Sequence, residues 1–172
     1  MLTMLLLVVD DEPQICKLLQ TGLTGYGYQV LTAANGQQAL TTIAQRRPDL
    51  VVLDIALGSE PDGLTVCRRL REWSQVPVIM LSVRSDEATK VMALDAGADD
   101  YITKPFSMEE LRARVQAILR RVALEPTSTP QAEIRVGDLT IDLANRRVTI
   151  SQEEVHFSPI EYEILRLLAT HP

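Results

Sequence analysis

Five polar residues stand where apolar runs give out. Asp10 and Asp11 follow Met4–Val9, Asp54 closes Leu50–Leu53, Ser82 follows Val78–Leu81, and Lys104 follows Tyr101–Thr103. If those runs are parallel strands of one α/β sheet, their ends share a crevice along one edge. Three carboxylates, a hydroxyl and an ammonium then meet in one small patch. Two like charges about 4 Å apart repel by about 4 kcal/mol at an effective dielectric of about 20, so a cation belongs among them. Mg2+ together with Lys104 meets that need. The chemistry this predicts is acceptance of a phosphoryl group.

Asp54 is the expected acceptor, because an acid at the end of a buried strand is costly unless it is used. As a carboxylate nucleophile it forms an acyl phosphate; its plainer role is a turn or helix-capping aspartate. Asp10 and Asp11 read equally well as caps for the helix carrying Ile15 and Leu18, and Asp54 next door tips them toward a cation site. Mg2+ takes octahedral oxygen ligands and keeps several waters. Asp11 and Asp54 are the expected direct ligands, with a backbone carbonyl just after Asp54, that of Ala56; Asp10 acts through a water. Phosphoryl transfer is mostly positioning and charge neutralisation. Lys104 and the Ser82 hydroxyl are placed to meet phosphoryl oxygens.

The elements that must hold these groups follow from periodicity. Strands are expected at Met4–Val9, Gln29–Ala33, Leu50–Asp54, Val78–Leu81 and Asp100–Thr103, several of them unbroken aliphatic runs of the kind buried on both faces. Between them come amphipathic helices marked by Ile15, Leu18, Leu19 and Leu23; Leu40 and Ile43; Val66, Leu70 and Trp73; Val91, Met92 and Leu94; and Leu111, Val115, Ile118 and Leu119. Ser107 with Glu110 is a capping box, and Gly97 is a C-terminal stop. Alternating βα units of this kind imply an α/β doubly wound parallel sheet.

Ala123–Ala132 breaks the pattern with two prolines and no periodicity, and reads as a linker. Beyond it lie four short strand candidates, Glu133–Val136, Leu139–Asp142, Arg147–Ile150 and Val155–Phe157, with turns at Gly137-Asp138 and Ala144-Asn145. Ser158-Pro159-Ile160-Glu161 then starts a helix carrying Ile164, Leu165, Leu167 and Leu168.

Composition narrows the classes. Of 172 residues 46% are hydrophobic and only 4% aromatic, so a sizeable aliphatic core is expected. The net charge of −6 argues against a nucleic-acid clamp. Met1–Val9 has no basic leader and reads as a buried strand, and no run approaches a membrane span. Cys16 and Cys67 lack metal-site spacing and read as packed thiols in a reduced, cytoplasmic protein.

The motifs VVDDEP, VVLDIAL, VIMLS and AGADDYITKPF resemble the receiver domain of two-component response regulators over residues 4–121. The resemblance implies a flavodoxin-like strand order 2-1-3-4-5, Asp54 as phosphoacceptor, Asp10 and Asp11 as Mg2+ acids, Ser82 as switch hydroxyl, Tyr101 as switch aromatic and Lys104 as the phosphate-pairing lysine. It also implies a sensor histidine kinase as phosphodonor and a cis peptide at Lys104-Pro105. With IRVGDLTIDLANRRVTI and FSPIEYEILRLL, the chain is similar to the OmpR/PhoB type, in which phosphorylated receivers pair into a homodimer. LREWSQVPVIMLSVRS leans toward that type's potassium-responsive KdpE branch. The implied dimer surface holds Lys90, Val91, Leu94, Asp95, Asp99, Asp100, Glu110, Ala113, Arg114 and Arg121. Its charges read more simply as a solvated surface worth about 0–1 kcal/mol per pair.

Two departures from the family pattern stand out. After the acceptor, that pattern has Pro at plus four and Asp-Gly at plus seven and eight; here Gly58 is at plus four, Pro61 at plus seven, and Asp62-Gly63 at plus eight and nine. One extra residue is expected to bulge outward without moving Asp54. Secondly, residues 133–172 match only the start of a winged-helix effector. Residues 122–172 carry eight acidic against four basic side chains, a net of −4, so specific DNA binding is expected only of a full-length form.

Three other functions compete. A Mg2+-dependent aspartyl phosphohydrolase resembling haloacid dehalogenases needs a second Asp two residues after the nucleophile, where this chain has Ala56. A flavodoxin-like FMN carrier needs phosphate donors after the first strand, where Asp10-Asp11-Glu12 repels phosphate. An interaction scaffold needs no phosphorylation at all.

Overall fold

The aliphatic runs form strands because their side chains are covered on both faces. The computed structural model describes residues 3–124, 133–142, 147–151, 153–155, 157, 161–162 and 164–165. In chain order the first unit is β1 (Leu5–Val9), α1 (Pro13–Gly25), β2 (Gln29–Ala33), α2 (Gly36–Arg46), β3 (Leu50–Asp54), α3 (Gly63–Arg71), β4 (Val78–Ser82), α4 (Glu87–Asp95), β5 (Asp100–Thr103) and α5 (Met108–Leu124). The parallel sheet runs β2-β1-β3-β4-β5, the expected order. Leu6, Val8, Leu50, Val52, Ile79 and Leu81 share one core with Leu19 and Leu23 of α1 and Leu111, Val115 and Ile118 of α5. The alternate residues Leu7, Val9, Val51, Leu53 and Met80 are equally buried, so period-two alternation places them on the opposite, also covered, face. Each fully buried leucine contributes about 2 kcal/mol.

Register puts the polar strand ends side by side. Val9 pairs with Leu53, Asp54 with Leu81, and Ser82 with Thr103.

Several expected helix faces are corrected. Leu18 is 59% exposed; α1 instead buries Cys16, Leu19 and Leu23. Trp73 falls beyond the end of α3. On α4 the apolar residues Val91, Met92 and Leu94 point to solvent, and the helix rests on Thr89 and Ala93. Small side chains let α4 lie close to the sheet, and the buried Thr89 hydroxyl is satisfied by Asp86 at 2.8 Å. Ser107 Oγ caps α5 by accepting from the Glu110 N–H at 3.0 Å. The Glu110 carboxylate turns to Arg114 instead, so the box is half formed. Gly97 ends α4 at φ +102° as expected.

The second unit holds β6 (Glu133–Val136), β7 (Leu139–Asp142), β8 (Arg147–Ile150) and β9 (Glu153–Val155), an antiparallel sheet in that order. The last strand lies two residues earlier than expected, because Ser151 takes a left-handed φ of 52° and turns the chain back at once. Phe157 is therefore past the strand, packed beside a small core of Ile141, Val148 and Tyr162. Glu161, Tyr162, Ile164 and Leu165 are helical. Leu165 packs against that core while Ile164 stays exposed. α5 runs through Leu124, two residues into the segment read as linker. The rest of that linker, the Ala144-Asn145 turn, the Ser158-Pro159 helix start, Leu167 and Leu168 lie outside the described residues. Among the described residues, no helix is long and apolar enough to cross a membrane.

Candidate functional site

The strand ends place the expected groups within reach of one another. Oxygens of Asp10, Asp11 and Asp54 all lie within 4.8 Å of each other. Asp10 closes off β1 and is buried. Its Oδ1 accepts from the Glu12 N–H at 2.9 Å and its Oδ2 from Lys104 Nζ at 2.9 Å. Pro13 opens α1 with no side-chain cap from Glu12, so Asp10 and Asp11 do not serve as the helix cap. Asp11 is exposed, and Asp54 is buried at the end of β3.

Lys104 extends from the end of β5 over the acids, with Nζ 3.3 Å from Asp54 Oδ2. The Lys104-Pro105 peptide is cis, as expected. Burial pushes the Asp54 carboxyl above the ordinary aspartate range; Lys104 pulls it down and the Asp10 charge adds to the rise. Burial works against the Lys104 ammonium, but the hydrogen bond to Asp10 and the charge of Asp54 outweigh it and hold its pKa above the usual value. A carboxylate that resists ionisation beside two more acids is a site short of positive charge. Three hard oxygens at this spacing fit a small divalent cation. Mg2+ is such a cation, and it commonly takes only one or two carboxylates and keeps several waters.

Ser82, at the end of β4, and Tyr101, on β5, are both buried. Ser82 Oγ accepts from the Arg84 N–H at 3.0 Å. The Tyr101 hydroxyl donates to the Arg84 carbonyl. The two expected switch residues thus hold the same residue by its two backbone groups, a link through Arg84 that no sequence spacing announced.

The loop that follows β3 runs from Asp54 to Gly63. Ala56 is exposed and carries no acid at the place a phosphohydrolase would need one. Gly58, Ser59 and Glu60 project to solvent as expected, between buried Leu57 and buried Pro61. Asp54 keeps its register with Leu81. However, the loop does not stand clear of the site: a Cβ at Gly58 would meet Asp11 Oδ2 at 2.6 Å.

On α4, β5 and α5, the expected pairing residues Lys90, Val91, Leu94, Asp95, Glu110, Ala113 and Arg121 are exposed, and Asp99, Asp100 and Arg114 are half-buried. Their charges close within one chain. Arg114 reaches Asp100 and Glu110, each at 3.0 Å, and Arg121 reaches Asp99 at 3.1 Å. Asp99 also takes Arg71 at 3.0 Å and the Val78 N–H at 2.9 Å. Cys16 and Cys67 are buried and free, and burial raises both thiol pKa values.

The family profile of the response regulator receiver domain matches residues 6–116. The chain belongs to the response regulators. Among its relatives are the KDP operon transcriptional regulatory protein KdpE of Escherichia coli strain K12, 46% identical over 94% of this chain and 71% of that protein, and the transcriptional regulatory protein KdpE of Mycobacterium tuberculosis strain H37Rv, 47% identical over 96% and 72%. The DNA-binding response regulator MtrA of Mycolicibacterium smegmatis is 41% identical over 97% of this chain and 71% of its own. These relatives place this response regulator in the OmpR/PhoB type. Its fold matches the BeF3-activated receiver domain of Klebsiella pneumoniae RstA at a TM-score of 0.65 and 34% identity, over 67% of this chain and 98% of that one. A two-component response regulator from Clostridium difficile matches at 0.67 and 32%, over 70% and 98%.

Proposed function

We propose that this response regulator accepts a phosphoryl group on Asp54 from a sensor histidine kinase and passes the signal on through a change of pairing between copies. The observation that carries this reading is the convergence of Asp10, Asp11 and Asp54 within 4.8 Å, with Lys104 Nζ 3.3 Å from Asp54 Oδ2. An Asp54 carboxylate oxygen forms the new bond to phosphorus as the bond to the donor nitrogen breaks, and the donor imidazole leaves with that electron pair. Asp11, Asp54 and the Ala56 carbonyl, with Asp10 in support, would hold Mg2+, which would supply charge neutralisation on the phosphoryl oxygens. Lys104 supplies a second positive charge and Ser82 a hydroxyl donor.

The Arg84 backbone is where the change leaves the site. When Ser82 Oγ turns to a phosphoryl oxygen, the Arg84 N–H loses its acceptor, and the Tyr101 hydroxyl on the neighbouring carbonyl is released with it. That segment opens α4, whose exposed Val91 and Leu94 lie with Ala113 among the proposed pairing residues. Phosphorylation biases a pre-existing equilibrium. The second unit is read as belonging to a winged-helix effector, so that the output is transcription.

Incubation with Mg2+ and acetyl phosphate tests this reading. An acid-stable, base-labile mass increase of one phosphoryl group is expected on wild type and absent from Asp54→Asn, with a shift toward dimer in wild type alone. Equal labelling of the variant would defeat it.

A further inference from the structure

We infer that Gly58, the fourth residue after the acceptor, is a positioning residue for Asp11: its bare Cα, at a left-handed backbone, is the wall that aims the Asp11 carboxylate into the acidic cluster. Gly58 has φ +61°, and a Cβ built there meets only Asp11, at 2.6 Å from Oδ2 and 3.6 Å from Cγ. Asp10 is fixed by the Glu12 N–H and Lys104, and Asp54 by Lys104. Among the described residues, no hydrogen bond or ion pair fixes the Asp11 carboxylate. The loop backbone is what stands against it.

That wall is firmly seated. Gly63 starts α3 with its N–H donating to the Ile55 carbonyl at 2.9 Å, and a Cβ there would lie 2.7 Å from the Ile55 Cα. Asp62 caps α3 through the Thr65 N–H at 2.8 Å. Pro61 is buried, with its carbonyl against Gly36 at the start of α2, where a Cβ would also lie 2.6 Å from Val66 Cγ2. Both ends of the loop are tied to helices, so its exposed middle cannot simply back away. A side chain at position 58 must therefore displace the Asp11 carboxylate from its place beside Asp10 and Asp54.

The inference rests on the acidic cluster being the Mg2+ site proposed above, and the experiment separates the two. Mg2+ is titrated into wild type, Gly58→Ala, Ser59→Ala, Asp11→Asn and the double variant Asp11→Asn/Gly58→Ala, following the amide NMR shifts of residues 10–12 and 54–58. Thermal unfolding in EDTA reports the fold. Gly58→Ala is expected to weaken Mg2+ roughly tenfold to a hundredfold, the range for residues that orient metal ligands. Ser59→Ala, on the same exposed stretch, binds as wild type. In the Asp11→Asn background Gly58→Ala has little further effect, because the anionic ligand that it displaces is already lost. Phosphorylation of Gly58→Ala recovers at saturating Mg2+, which a damaged fold would not allow.

Wild-type affinity in a folded Gly58→Ala, or an equal further loss without Asp11, overturns the inference and leaves the Mg2+ reading standing. No binding by wild type defeats that reading itself. Should Gly58→Ala not fold, Gly58→Asn, which tolerates left-handed backbone while carrying a Cβ, is judged by the same outcomes.

Discussion

Lys104 Nζ lies closer to Asp10, at 2.9 Å, than to the proposed acceptor Asp54, at 3.3 Å. The lysine thus has a task before any phosphoryl group arrives: it keeps a fully buried carboxylate paired. Lys104→Met removes that partner and leaves Asp10 with only the Glu12 N–H. Breaking a buried pair from one side costs about 3 kcal/mol. Urea unfolding in EDTA should show a loss of that order, partly restored by Mg2+. An unchanged midpoint would mean that Asp10 does not depend on Lys104.

Asp54 carries a pH signature. Burial, aided by the Asp10 charge and opposed by Lys104, raises its pKa above 3.8. The folded protein then binds this proton more tightly than the unfolded chain. Its contribution to stability falls as pH rises from 3.8 through the raised value, and the cost of ionisation is complete above it. Asp54→Asn removes that cost. In metal-free buffer the variant should be more stable than wild type at neutral pH, with the gap closing on acidification. Denaturant midpoints across that range decide; a gap that widens toward low pH would contradict the account.

Asp99 is expected to outweigh the arginine it meets on α5. It accepts from the Val78 N–H and pairs with both Arg71 and Arg121. Asp99→Ala strands a backbone donor and the half-buried Arg71 contact, costing about 2 kcal/mol. Arg121→Ala loses one exposed pair, worth under about 1 kcal/mol. Thermal melts of the two variants give the ranking, and equal losses would show that Asp99 acts only through Arg121.

Two glycines should respond to alanine with opposite signs. At Gly63 a Cβ runs into the Asp54 carbonyl and lies 2.7 Å from the Ile55 Cα, both backbone. Gly63→Ala is expected to cost about 1–3 kcal/mol and to slow labelling of Asp54. At Gly25, the last residue of α1, a Cβ meets nothing within 4 Å. Gly25→Ala should gain about 0.5 kcal/mol through the unfolded chain. Calorimetry on the pair checks both signs.

Much of this was legible in the residues. Unbroken aliphatic runs specify strands covered on both faces, and an acid or lysine at the end of such a run can only be tolerated at a sheet edge. That logic locates Asp10, Asp11, Asp54, Ser82 and Lys104 without coordinates. Faces of short helices were less legible. Val91, Met92 and Leu94 look like a core stripe because hydrophobicity was the only guide, yet α4 packs through Thr89 and Ala93. A capped hydroxyl and a small side chain allow closer approach than bulk does.

What the sequence by itself determined is the α/β order and the gathering of Asp10, Asp11, Asp54 and Lys104 at one sheet edge, since both depend on residue type at strand ends. What tertiary structure alone decided is who faces whom. Lys104 chose Asp10, Ser82 and Tyr101 met at Arg84, Asp99 and Asp100 closed their pairs within the chain, and Gly58 came to rest on Asp11. These are contacts between distant segments, fixed by strand register and loop path, and no local pattern encodes a distance across a sheet.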